Sequence, residues 1–254
     1  MDGAMIQQEV QNADRNLVQK WQKGRFLKRY KRFFADCELK NEVIVAHVPN
    51  TGSLLTVQSA DQECLLSPST NPERKLKFTL EALRAQSGAW VGVNTSTPNK
   101  IVMSYLQDIY SDSQVRAEYK INSATRLDFA VFKDSRVHAY IEVKSVTMAR
   151  PISGMHSGAS LQAQFPDAVT ERGRKHLDEL VALISNDVEC WIYFVVQRND
   201  CQYFDVASDI DPDYALTLKA AIKAGLKIKV LECVVSETGV KLTGREICLA
   251  GNLK

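Results

Sequence analysis

The chain has 254 residues, 45% hydrophobic and 24% charged, with a formal net charge of +2. That length supports a sizeable core in one or two domains, and the composition is that of a soluble globular protein. The six cysteines are scattered without a Cys-x-x-Cys pair, no hydrophobic signal region opens the chain, and no apolar stretch approaches membrane-spanning length. These features speak against a zinc site and a membrane partner and lead to the expectation of a reducing, cytoplasmic setting.

Residues 5–22 carry Ile6, Val10, Leu17, Val18 and Trp21 in loosely helical spacing, so 1–23 is expected to form an amino-terminal helix or arm. From Gly24 the pattern changes to short β-prone runs at 25–36, 42–48, 53–57 and 63–67, separated by turn segments such as Lys40-Asn41 and Pro49-Asn50-Thr51-Gly52. Close-spaced strands of this kind suggest a small β-barrel or sandwich. Lys20, Lys23, Arg25, Lys28, Arg29, Lys31 and Arg32 form a stripe with no acid among them, interleaved with Trp21, Phe26, Tyr30 and Phe33. The stripe suits a phosphate backbone; it also suits a solvated strand face with snorkelling stems.

After residue 72 the pattern turns α/β. Helices are expected at 78–87 and 99–110, strands at 115–122, 126–132 and 139–146, and a long loop at 148–164. A helix is expected from about 167 to 184, with Leu177, Leu180, Val181 and Ile184 inward. The apolar run 190–197 is expected as a buried central strand, and Asp211-Pro212 as the start of a helix ending at Gly225. Residues 226–235 complete a parallel crossover.

Within the expected strands lie Asp128 and Glu142-Val143-Lys144. Burying charge in apolar strands is costly unless a partner or metal offsets it. A three-residue loop at 134–136 would pair Phe132 with His138, Ala130 with Tyr140 and Asp128 with Glu142. A two-residue loop would slip the register by one and send Asp128 to the opposite face. Opposed carboxylates repel unless a hard cation such as Mg²⁺ or Mn²⁺ joins them. Asp128 and Glu142 are therefore candidate metal ligands, with Lys144 placed to orient water or stabilise a pentavalent phosphorus. The competing reading is a set of solvated positions on a wet sheet face.

The α-β-β-β-α-β order around this trio resembles the scaffold of the PD-(D/E)xK nuclease superfamily, Asp128 standing for the first motif acid and Glu142-Val143-Lys144 for the second. On that scaffold Gln197 could reach a metal-bound water or simply close its strand, and Glu118 could serve as an auxiliary acid. Arg172, Lys175 and His176 on the following helix could contact phosphate or form a solvated face.

Longer segments are more specific. They include Gly24-Arg25-Phe26-Leu27-Lys28-Arg29-Tyr30, Pro49-Asn50-Thr51-Gly52-Ser53, Val91-Gly92-Val93-Asn94-Thr95 and Thr125-Arg126-Leu127-Asp128-Phe129. Phe165-Pro166-Asp167 and Val195-Val196-Gln197-Arg198 follow. In this order they resemble the bacterial and archaeal sugar fermentation stimulation protein family. The resemblance implies an α/β (α+β) chain: an OB-type β-barrel at 24–84 and a PD-(D/E)xK nuclease-like mixed-sheet domain at 85–254. It also implies DNA as partner and a link to regulation of sugar, especially maltose, metabolism. Arg25, Lys28, Arg29, Tyr30, Lys31 and Arg32 then become candidate DNA-binding residues of the barrel. Two readings follow: a Mg²⁺- or Mn²⁺-dependent nuclease, and a non-catalytic DNA-binding regulator on a nuclease-like fold. A homodimer is left open.

Overall fold

The computed structural model describes residues 20–123, 125–152 and 160–250. The expected amino-terminal helix falls mostly outside them, and its last residues, Gln22 and Lys23, open a strand instead.

Six strands form the first sheet: β1 (Gln22–Tyr30), β2 (Phe34–Leu39), β3 (Glu42–His47), β4 (Glu63–Pro68), β5 (Phe78–Arg84) and β6 (Trp90–Gly92). Their order is β3-β2-β1-β4-β5-β6, and parallel pairing of β3 with β5 closes a five-stranded barrel. Side chains alternate along each strand, so Ala35, Cys37 and Leu39 of β2 point into a core shared with Phe26, Leu66 and Leu83. Burying each large apolar side chain contributes about 1.5–3 kcal/mol. Lys40 and Asn41 take left-handed conformations in the two-residue turn that joins Leu39 to Glu42.

Three expectations are corrected in this unit. Residues 78–87 do not form a helix; Phe78–Arg84 is a strand with Thr79 through Leu83 all buried. Burial on both faces of a closing barrel strand overrides the helical preference of Leu-Glu-Ala-Leu-Arg. The run 53–57 is a turn, because Leu54 and Thr56 sit at φ 52° and 66°. The first unit also runs past residue 84, since β6 pairs with β5 through Gly92.

The second unit is built on a six-stranded mixed sheet. It contains α1 (Thr97–Ile109), then the antiparallel meander β7 (Gln114–Lys120), β8 (Arg126–Lys133) and β9 (Arg136–Val146). Next come β10 (Ala149–Pro151), β11 (Leu161–Phe165), α2 (Glu171–Leu183), β12 (Glu189–Val196) and β13 (Cys201–Val206). The chain continues with α3 (Pro212–Lys223), β14 (Lys227–Ser236), β15 (Gly239–Glu246) and β16 (Cys248–Leu249). The main sheet runs β15-β14-β12-β9-β8-β7, with β12 parallel to both β9 and β14. The segment expected as a loop at 148–164 contains β10 and β11, which join a small sheet ordered β10-β11-β13-β16; residues 153–159 lie outside the described ones.

The continuous apolar run of β12 is explained by cover on both faces. Tyr193 and Val195 pack with Val102 and Leu106 of α1, while Ile192, Phe194 and Val196 pack with Leu177 and Leu180 of α2 and Leu218 of α3. The cap expected at Asp211 is present, its side chain accepting from the Tyr214 amide, and Gly225 follows α3 at φ 106°. Among the described residues no helix is long and apolar enough to cross a membrane.

Candidate functional site

The hairpin β8–β9 places the acids. Its turn is the two-residue Asp134-Ser135, both left-handed, rather than the three-residue loop expected. Phe132 consequently pairs with Val137, not His138. A bulge between Val131 and Phe132 then absorbs one residue, so Val131 meets Ala139, Ala130 meets Tyr140 and Phe129 meets Ile141. The expected pairing of Ala130 with Tyr140 survives because the bulge, not the turn, supplies the extra residue; the expected pair Asp128–Glu142 is not part of the ladder. The ladder ends at Phe129–Ile141, and Asp128 continues it with its side chain: its Oδ2 accepts from the Val143 amide at 2.7 Å.

Side-chain alternation sends Ile141 and Val143 into the core under α1, and Glu142 and Lys144 toward α2. Glu142 is 3% exposed. Its Oε1 accepts from Lys144 Nζ at 2.7 Å and contacts His176 Nδ1 of α2, while its Oε2 is buried without a hydrogen-bond partner. Burial pushes the Glu142 carboxyl up, but Lys144 and His176 outweigh it and hold it below the usual range. Asp128 behaves oppositely. Burial, reinforced by the neighbouring Glu142 charge, raises it to about 6 against the opposing bonds from Val143 and from Asn99. The Asn99 amide, in the first turn of α1, donates to Asp128 Oδ1 at 2.8 Å.

These groups open on a cleft of about 620 Å³ between the two units. One wall is the barrel loop Asn50-Thr51-Gly52; the other carries Asp128, Glu142, Lys144 and His176. Glu118 and Arg126 stand at its margin as an exposed ion pair of 3.4 Å, and Arg172 lines it with Nε 3.3 Å from His176 Nε2. Lys175 is not in the wall; it is exposed and pairs with Glu179 at 3.7 Å. His176, expected either to contact phosphate or to form part of a solvated helix face, lines the cleft and reaches the Glu142 carboxylate. Gln197 does not line the cleft either. It is fully buried, its Nε2 donating to Ser145 Oγ at 2.9 Å, and its backbone oxygen accepts from Gly92 of the barrel.

The basic stripe divides. Arg25 pairs with Glu38 and Asp61, and Lys28 with Asp36 at 3.4 Å, so acids from neighbouring segments neutralise them. Arg29 is committed to backbone oxygens, donating to Arg32 at 2.7 Å, Gly52 at 2.9 Å and Asn50 at 2.6 Å. Tyr30, Lys31 and Arg32 line a smaller cavity beside the main cleft. Nothing in the sequence marked Asn99, because a lone Asn after a helix-starting Pro carries no signal of what it will touch.

Among the described residues no three His, Cys, Asp or Glu side chains gather into a metal-binding group. Beside the exposed Glu118 and the loop-bound Asp167, the cleft offers the neighbouring carboxylates of Asp128 and Glu142, the latter with a buried oxygen lacking any donor. That donor set fits a hard cation that completes its shell with water or phosphate oxygens.

Residues 96–239 match the sugar fermentation stimulation protein RE domain, and 27–93 match the SfsA N-terminal OB domain. The sugar fermentation stimulation protein homolog of Bdellovibrio bacteriovorus is 45% identical over 240 residues, covering 88% of this chain and 95% of that one. The homolog of Pseudoalteromonas atlantica is 37% identical over 229 residues, covering 87% and 94%. A solved structure of Pyrococcus furiosus SfsA in complex with Ca²⁺ shares the fold, with a TM-score of 0.75 at 21% identity over 91% of this chain and 96% of that one. With the barrel, the mixed sheet and both domain matches in place, the chain belongs to the sugar fermentation stimulation protein family.

Proposed function

We propose that the protein is a DNA-binding, Mg²⁺- or Mn²⁺-dependent nuclease of the PD-(D/E)xK type. The observation that carries this is the buried, donor-free Glu142 Oε2 in a cleft shared with Asp128 and Lys144. Asp128 and Glu142 would hold the cation, which when bound lowers the pKa of water and neutralises charge on a phosphoryl oxygen. Asn99 and the Val143 amide fix the Asp128 carboxylate, and α2 fixes Glu142 through His176. The Lys144 ammonium, with a side chain only 12% exposed and 2.7 Å from Glu142 Oε1, would orient the attacking water. Arg172 supplies positive charge at the cleft wall for a phosphate. The Ca²⁺ held by the Pyrococcus furiosus relative supports a cation site on this fold.

The test is incubation of purified protein with single- and double-stranded DNA and RNA in Mg²⁺ or Mn²⁺, beside Asp128→Ala. Metal-dependent cleavage abolished by the substitution is expected. Uncut substrates, or an equally active variant, would sink the reading. One observation favours the second reading, a DNA-binding regulator linked to sugar (maltose) metabolism: Lys144 and His176 already counter the Glu142 charge without a cation. That reading predicts salt-dependent DNA binding indifferent to Glu142→Ala and no cleavage.

A further inference from the structure

A second cavity, of about 350 Å³, adjoins the metal cleft, and the two share Thr51, Gly52 and Ala168. Those residues form a saddle with little side chain on it: Gly52 has none, and Ala168 is small and exposed. The saddle is braced from both units. Arg29 donates to the Asn50 and Gly52 oxygens from the barrel side, and Asp167 accepts from the Leu54 amide at 3.0 Å from the other. A Cβ added at Gly52 would lie 2.8 Å from Asp167 Oδ2, so the two units are in tight contact here.

The two cavities differ in charge. The metal cleft is lined by Glu118, Asp128, Glu142 and Asp167 among its cations. The second cavity has Arg29, Lys31 and Arg32 and no acid in its wall. Tyr30 also lines it, stacked on Phe34 at 5.7 Å between ring centroids. Cations plus a braced aromatic ring suit a phosphate backbone with an unpaired base. Volumes of 620 and 350 Å³ are those of sites for single small ligands, about 300–1,000 Å³.

We infer that the substrate is a single phosphodiester strand, running from the metal cleft across the Thr51–Gly52–Ala168 saddle into the basic cavity at Tyr30, Lys31 and Arg32. The inference rests on the nuclease reading for the chemistry at one end of this path; the path itself rests on the two cavities.

Fluorescence anisotropy in EDTA tests it with labelled 12-nucleotide deoxy and ribo strands and the DNA duplex of the same sequence. Single strands are expected to bind at least tenfold tighter than duplex, and the two sugar arms show which strand is preferred. Lys31 and Arg32 have φ of 47° and 61°, which Asn tolerates, so the double variant Lys31→Asn, Arg32→Asn preserves the turn. It is expected to weaken single-strand binding about tenfold and to lower the slope of log K against log salt by about 1.4, or about 0.7 for each phosphate no longer neutralised. Ala168→Trp, at an exposed position, is expected to weaken the 12-mer to a similar extent by obstructing the saddle. Duplex binding as tight as single-strand binding, an unchanged salt slope, or wild-type affinity in Ala168→Trp overturns the inference. If single strands bind in the expected pattern but no metal yields cleavage, the path stands and the nuclease reading fails. Duplex-preferring binding with metal-dependent cleavage is the reverse result.

Discussion

The Val143 amide donates to Asp128 Oδ2 at 2.7 Å, tying the first acid of the cleft to the strand that carries the second. A side chain here takes the place of a ladder acceptor, so backbone order and site geometry depend on the same bond. Asp128 is also raised to about 6 by burial and by Glu142, above its ordinary 3.8. The folded state therefore binds this proton more tightly than the unfolded state, and metal-free stability should fall as pH rises from 3.8 through about 6. Asp128→Asn should remove that component and, at pH 8 without metal, melt at or above the wild-type temperature. Melting curves from pH 4 to 8 check this, and a marked loss of stability in the variant at pH 8 would falsify the assignment.

Asn99 acts through Asp128, donating to the oxygen that Val143 leaves free. On the proposed metal-site reading it is a positioning residue. Asn99→Ala should lower Mn²⁺ affinity about 10–100-fold, the usual effect of losing a group that orients a ligand, with little change in melting temperature. Titration calorimetry with Mn²⁺ reads the affinity independently of cleavage, and Asn99→Asp should not restore it, because a carboxylate cannot donate to Asp128.

At the saddle, a Cβ on Gly52 meets Asp167 Oδ2 at 2.8 Å and Asn50 Oδ1 at 3.0 Å. Gly52→Ala should destabilise by about 1–3 kcal/mol, the cost of overpacking a filled position. Combined with Asp167→Ala, the two changes should be less than additive in urea denaturation, since they act on the same crowded spot. Strict additivity would show that the saddle is not braced as described.

Asp211 joins two helix starts. Its Oδ1 caps α3 through the Tyr214 amide, its Oδ2 accepts from Thr170 at the cap of α2, and Arg174 bonds both oxygens at 2.9 and 3.1 Å. Burial pushes this carboxyl up, but the two amides and the guanidinium outweigh it and hold it below 3.8. Its contribution is therefore fully present above pH 3.8 and lost as pH falls through the lower folded value. Asp211→Ala should cost about 2–3 kcal/mol at pH 7, from removal of a cap and of a charged hydrogen bond. The difference from wild type should shrink in urea melts taken below pH 3.8.

The strands of the meander, the buried β12, the Asp211 cap and the pairing of Ala130 with Tyr140 were all legible in the residues, because period-two alternation, apolar runs and cap chemistry are local properties. Local reasoning failed at 78–87, where a helix-prone sequence became a barrel strand buried on both faces. It also failed at the Asp134-Ser135 turn, whose bulge restored a register that turn length alone would have shifted. Chain chemistry placed Asp128, Glu142 and Lys144 on adjoining strands, since side-chain direction follows strand parity. Which neighbours those groups meet came from packing: Asn99 arrives from α1, His176 from α2, and the acids that neutralise Arg25 and Lys28 from neighbouring barrel segments. Residues far apart in sequence carry no mark of their partners until the two units close on each other, so the cleft, its saddle and the division of the basic stripe are properties of the folded chain.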